Sequence, residues 1–400
     1  MDWSHYAPHL PELIDDPFPA YVWLREHSPV HYVESEDIWC LSRYDDIAAA
    51  VRDDAVFSNT QGVGYSRDEG GLALTNIDRP HHTRLRRQML NYFSRGSVGL
   101  HKARAEQLIN QLIDGIIEQP GANLAQSISM PFLATLVAEW MGIPPTDIKF
   151  VNDGATASSL VMAGDFSEGP LKARACFARY FDAMAIQEEA AKEAGAFCPG
   201  QLRTLSDALF TPTPDGYELT HAESTQMLAL LAVGGNETTA QFLSAVAHFL
   251  SEREDVFETL RADRSLVPAA CEELLRYLSP VQGLFRNTRE ETRIHGRTIP
   301  ANSKILLLYA SGNHDPSHYD APGEFRLNRF PRGVGDADHL SFTEGVHKCL
   351  GAHLARLMII TFINGLCDRV KRIEMTGPVG RSHNALVRCI EDLPVHLHAA

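Results

Sequence analysis

Residues 342–351 read Phe342-Thr343-Glu344-Gly345-Val346-His347-Lys348-Cys349-Leu350-Gly351 and run directly into the apolar-periodic stretch Leu354–Leu366. A chain with this text must place one thiol in a glycine-bracketed loop at the start of a helix. Backbone N–H groups and the positive end of a helix dipole stabilise a thiolate there, which makes Cys349 a candidate soft anionic ligand. The spacing Phe-x-x-Gly-x-His-x-Cys-x-Gly arises by chance on the order of once in ten million start points. A lone cysteine is otherwise most often a buried structural thiol, and the bracket around Cys349 is what argues against that reading.

The 400 residues suffice for one large domain or for two or three average ones. A formal net charge of −15 argues against a nucleic-acid surface and against an anionic membrane as the main partner. Seven cysteines (Cys40, Cys176, Cys198, Cys271, Cys349, Cys367, Cys389) show no paired spacing, which suits free thiols in a reducing compartment. Residues 1–20 lack a basic start followed by an apolar core, so no secretory signal is read and a soluble, cytoplasmic chain is expected. The longest apolar runs, near Met227–Val233 and Ile305–Tyr309, fall well short of the roughly 20 residues that span a bilayer.

Tyr21–Glu26 reads as a helix, Val30–Val33 and Ile38–Ser42 as strands, and Asp45–Arg52 as a second helix. Gly62–Gly71, glycine-rich and polar around Tyr65, fits neither period and reads as a loop over a binding site. Asp78-Arg79-Pro80 opens a helix with the apolar stripe Leu85, Met89, Leu90 and Phe93. His82 and Arg86, four apart, share a face on which two donors can grip one anion; a solvated basic face is the alternative. Amphipathic runs from Ala103 to Glu193 predict helices, with Met130, Phe132, Leu133, Leu136 and Met141 as core. Cys198–Gly216 reads as a connector.

Thr220–Leu250 is a helical run of about 45 Å if unbroken. Gly234-Gly235-Asn236-Glu237-Thr238-Thr239 stands in its middle, and each interior glycine costs about 1 kcal/mol against alanine. A local opening there would make a groove for a small ligand; a flexible kink in a core helix is the alternative. Ala269–Leu278 predicts a helix that sets Glu273 and Arg276 one turn apart. Val281–Arg286 reads as a strand, as do the runs through Ile299 and Lys304–Leu308. His314 and His318 are four apart, but Pro316 between them spoils a helical metal pair.

The cysteine loop resembles the haem-ligand loop of the cytochrome P450 family, with Thr343 where the family usually has glycine. Gly234–Thr239 resembles the family's oxygen-binding stretch, and Glu273, Arg276 and Arg329 match in order its Glu-x-x-Arg pair and downstream arginine. The resemblance runs from about Asp16 to about Leu397. It implies a single haem domain over residues 1–400, mainly α with small β-sheets (α+β), with haem b between the long helix and the cysteine loop. Cys349 would ligate iron, with Gly234, Gly235, Phe342 and Gly351 also at the haem. His82, Arg86, Arg286 and His347 would hold the propionates. Glu237 and Thr238 would relay protons, and Glu273, Arg276 and Arg329 would be structural. The family commonly has Asn-Arg-Asp where this chain has Asn313-His314-Asp315.

The implied reaction inserts one oxygen atom of O2 into an apolar small molecule, with electrons from a ferredoxin and ferredoxin reductase. Tyr65, Leu72, Val233, Val281, Leu284 and Phe285 would line a mainly apolar pocket, with Arg67 close enough to leave a carboxylate-bearing substrate open. Arg84, Arg87 and Lys348 are read as a basic patch that docks an acidic ferredoxin. A peroxide-driven enzyme of the same fold and a non-catalytic haem-binding sensor are the alternatives.

Overall fold

The computed structural model describes residues 2–66, 71–195, 204–213 and 215–400. Arg67, Cys198 and parts of the Gly62–Gly71 loop and the Cys198–Gly216 connector lie outside the described residues. The chain divides into two compact units, one of residues 1–58, 102–132 and 238–400, the other of residues 59–101 and 133–237.

The first unit holds most of the β-structure. Val30–Val33 and Ile38–Leu41 pair antiparallel, and Ile38–Leu41 pairs in parallel with Lys304–Leu307. Leu284–Thr288 and Phe57–Ser58 complete a five-stranded sheet. Ile305–Leu307 reads as continuously apolar because every residue of its strand is buried. Leu41, Ile305 and Leu307 share one core cluster with Tyr44, Ile47 and Val51 of the helix Tyr44–Arg52, and with Leu340, which leads into the cysteine loop. The helix Ala352–Arg369 packs on Lys102–Asp114. Gly365 permits the close approach, since a Cβ there would stand 3.2 Å from both Ile109 and Ile113. A three-stranded sheet is ordered Ala122–Asn123, Pro394–Ala399, Val370–Met375. In it Val395 and Leu397 point inward and His396 and His398 outward, as a period of two requires.

In the second unit Ile148–Met162 and Glu168–Glu193 pack as a helical hairpin. Gly154 lies under Phe177, where a Cβ would come within 2.4 Å of the ring. The helix His81–Leu90 begins after Pro80, three residues later than Asp78. Leu85, Met89 and Phe93 are buried, but Leu90 is exposed. It stands about 100° around the helix from Met89 and so leaves the stripe.

The long helix runs without interruption from His221 to Glu252, and Gly234-Gly235 does not open it. The two glycines cost about 2 kcal/mol in propensity. Burying Met227, Leu228, Phe242, Leu243 and Val246 along the same helix, at roughly 1.5–3 kcal/mol each, outweighs that. Phe132, Leu133, Leu136 and Met141 are buried, Met130 only in part. Among the described residues no helix is long and apolar enough to cross a membrane.

Candidate active site

Cys349 stands in the turn between the 3-10 turn Leu340–Phe342 and the helix Ala352–Arg369, two residues before its cap Gly351. Its backbone N–H donates to Phe342 O at 2.9 Å, and Lys348 N–H donates to Gly345 O at 3.2 Å. The turn presents the thiol side outward: Cys349 is exposed, His347 half-buried and Phe342 buried. Gly345 has φ +68°, and a Cβ on it would stand 2.5 Å from Val51 O, so only glycine fits. Glu344 is ion-paired with Arg52 at the end of the helix Tyr44–Arg52.

Two buried ion networks support this loop. Glu273 takes two bonds from Arg276, both 2.8 Å, and one from Arg329 Nε at 3.0 Å, with the Glu273 and Arg276 side chains fully buried. Arg276 also donates to the carbonyls of Asn313, Pro322 and Glu324, which pins the loop that leads to the cysteine. The adjacent Glu272 takes two bonds of 2.7 Å from Arg356 and lies 3.1 Å from His339 Nε2. Burial pushes the Glu272 carboxyl up, but the bonds from Arg356 and His339 outweigh it and hold it at about 2. His339 Nδ1 accepts Ser341 N–H at 3.3 Å, and the Arg356 guanidinium lies 4.5 Å over the Phe342 ring. Sequence reading missed this second network. Its members are 67 and 84 residues apart, and no local spacing signals them.

Arg286 lies on the strand Leu284–Thr288, buried, with Nη1 donating to Phe285 O at 2.7 Å. Among the described residues no carboxylate pairs with it. Strand alternation puts Leu284 and Arg286 on one face and Phe285 on the other, fully buried. Val281 and Leu284 are half-buried against the sheet's core.

On the long helix Glu237 is buried, Thr238 and Val233 half-buried, and Gly234 exposed. Space over Gly234 is open, whereas a Cβ on Gly235 would meet Val137 at 3.1 Å. His82 is buried and Arg86 half-buried on the same side of their helix as Leu85 and Met89, so this is no solvated basic face. Gln88 ties that helix to the carbonyls of Ala208 and Thr211, and His81 meets the buried Glu223 at 2.5 Å. Tyr65 N–H donates to Met162 O at 2.7 Å, and Leu72 N–H to Gln226 Oε1 at 2.6 Å.

His314 and His318 serve different partners. His314 Nε2 donates to Tyr277 O at 2.8 Å, while His318 stacks on Tyr44 and meets Asp338 at 2.9 Å.

The cytochrome P450 family model matches residues 171–367. Cytochrome P450 144 of Mycobacterium tuberculosis is 30% identical over 402 residues, covering 96% of this chain and 89% of its own. The chain belongs to the cytochrome P450 family. Beta-dihydromenaquinone-9 omega-hydroxylase of Mycobacterium tuberculosis is 29% identical over 407 residues, 99% of this P450 and 79% of that protein. The solved structure of the cytochrome P450 PksS of the Bacillus subtilis 168 bacillaene polyketide synthase has 28% identity and a TM-score of 0.86. It matches over 98% of this chain and 100% of its own. The fold is the P450 fold, helix-rich with small sheets, and the protein is a P450 monooxygenase, an oxidoreductase of a haem-dependent family.

A P450 haem asks for a soft axial donor, cationic partners for its propionates and a flat bed free of side chains. This P450 offers an exposed thiol at Cys349, a buried guanidinium at Arg286 that no carboxylate among the described residues neutralises, and open space over Gly234. The residues fit the group.

Proposed function

We propose that this P450 inserts one oxygen atom from O2 into a small apolar organic substrate, by hydroxylation or oxidative dealkylation, with electrons from a ferredoxin and its reductase. Haem b, when bound, supplies the oxidising chemistry. Cys349 would ligate the haem iron as a thiolate, and its loop is held by the N–H bond to Phe342 O and by Gly345. His82, Arg86, Arg286 and His347 would hold the propionates through charge-assisted bonds. Glu237 holds a proton and passes it by way of the Thr238 hydroxyl, a general-acid role. Gly234, Gly235, Phe342 and Gly351 would shape the bed, with the open space over Gly234, and Glu273, Arg276 and Arg329 keep the fold closed behind the cysteine loop.

The observation that carries this reading is the exposed thiol of Cys349 in a turn that backbone bonds and Gly345 constrain. The test is the absorption spectrum of the reduced protein under carbon monoxide. The red-shifted band of thiolate-ligated haem is expected in the parent and absent in Cys349→Ser; a band that survives the substitution rules Cys349 out.

Tyr65, Leu72, Val233, Val281 and Leu284 are the proposed substrate contacts, and the name of the dihydromenaquinone hydroxylase supports an apolar substrate. Phe285, on the opposite face of its strand from Leu284, is left out of the set. For ferredoxin docking Arg87 and Lys348 are exposed, whereas Arg84 is engaged by Asp215 at 2.9 Å and by the Tyr217 ring. Charge reversal at Arg87 or Lys348 is expected to slow reduction and flatten its salt dependence. Unchanged rates at both positions count against the docking role.

A further inference from the structure

We propose that Glu118, His396, His398 and Glu374 form a binding site for a divalent transition-metal ion, zinc by preference, on the outward face of the Ala122–Asn123, Pro394–Ala399, Val370–Met375 sheet. Strand alternation sets it up. Val395 and Leu397 fill the interior, so His396 and His398 must stand side by side outside it, with ring centroids 4.0 Å apart. The antiparallel register brings Glu374 opposite His396, and Glu374 Oε2 lies 2.7 Å from His398 Nε2.

Glu118 arrives from the turn after the helix Lys102–Asp114, and that turn is tied to the strand. Its N–H donates to Leu397 O at 2.9 Å, and its Oε1 accepts Ala399 N–H at 2.6 Å. With Oε1 committed, Oε2 is aimed at His396 Nε2, 3.2 Å away. The ligand atoms of Glu118, His396 and His398 all lie within 4.8 Å of one another. Tetrahedral zinc with donors at about 2.0–2.1 Å sets ligand atoms roughly 3.3 Å apart, so binding would draw these three together, with Glu374 joining from beside His398. Glu118 and Glu374 are half exposed and the two imidazoles partly so, and an ion can enter from solvent.

The chemistry selects the ion. Two neutral imidazoles and two carboxylates balance one divalent charge, and imidazole favours zinc over magnesium or calcium. Arg372 now stands where that positive charge would be, with Nη2 2.6 Å from Glu374 Oε2 and 3.1 Å from His398 Nε2. It is exposed and able to swing away, so it competes with the ion rather than excluding it.

The experiment is calorimetric titration of the chelator-treated, haem-loaded full chain with zinc chloride. One site is expected in the parent. Affinity should fall by more than about 10-fold in His396→Gln and in His398→Gln, since each removes a ligand and even outer-shell losses cost about that much. It should rise in Arg372→Ala, which removes the competing guanidinium. Calcium and magnesium should give no binding. The carbon monoxide spectrum of each variant checks its folding, since none of these residues belongs to the haem machinery. Zinc binding that is unchanged in both histidine variants, or weakened in Arg372→Ala, overturns the proposal.

Discussion

Thr343 holds a backbone that a β-branched residue rarely adopts, φ +54° and ψ −172°, immediately after the buried Phe342. Its N–H donates to Leu340 O at 2.9 Å and its Oγ1 to His347 O at 3.3 Å, so the turn keeps the residue there despite the strain. Thr343→Gly removes the Cβ penalty while giving up one long bond and gaining unfolded-state entropy. The net expectation is a stabilisation of about 1 kcal/mol, read by denaturant unfolding at equilibrium. His314 carries a second residue-scale consequence. Burial pushes its imidazole down from 6.5 to about 3, and it packs against Phe18 and Tyr277. The folded state therefore requires the neutral ring. Its contribution is complete above about pH 6.5, the unfolded value, and is lost as pH falls toward 3, at up to about 1.4 kcal/mol per pH unit. His314→Gln keeps a donor for Tyr277 O and is expected to flatten the melting temperature between about pH 6 and pH 4. An unchanged slope assigns the acid sensitivity to other groups.

At the scale of elements, the cysteine loop rests on Glu272, His339 and Arg356, whose side chains are nearly or wholly buried. Glu272→Gln leaves the Arg356 charge buried without its counter-ion, a loss of about 3–5 kcal/mol measurable by thermal unfolding. The same variant should lose the acid-limb contribution of this carboxylate, which is present above about pH 4.5 and disappears as pH falls toward 2. The glycine pair of the long helix separates two effects. Gly234→Ala meets open space and is expected to stabilise the haem-free protein by about 1 kcal/mol while weakening haem binding. At Gly235 the Val137 side chain must yield, so the helix gain there is smaller. These elements also mark what the sequence makes legible. Glu273 and Arg276 are one turn apart, and a three-residue spacing announces such a pair. Glu272, His339 and Arg356 meet only through the fold, and nothing local connects them. The continuity of the helix through Gly234-Gly235 was equally hidden, because it depends on burial summed over the whole helix rather than on the two residues that disfavour it. Strand alternation, by contrast, was available from Leu284-Phe285-Arg286 itself and already separates Phe285 from its neighbours.

For the whole molecule, we propose that residues 1–400 unfold as one domain. The division between the two units falls between Phe132 and Leu133, inside the helix Met130–Met141, and between Glu237 and Thr238, inside the helix His221–Glu252. Four i to i−4 hydrogen bonds straddle any peptide bond within an α-helix, so unfolding one unit alone breaks about eight of them. At a net 0.5–1.5 kcal/mol each, that couples the units by roughly 4–12 kcal/mol, comparable to the whole stability of a domain. Each unit, moreover, is assembled from separated stretches of chain, three in one and two in the other, so neither is a contiguous segment able to fold first. A single endotherm is expected in calorimetry, with the loss of helical circular dichroism coincident with it and the calorimetric enthalpy matching the van't Hoff value. Two resolved transitions, or helical signal that persists after the first, would show that the helices crossing the divide can break at Glu237 without unfolding the rest.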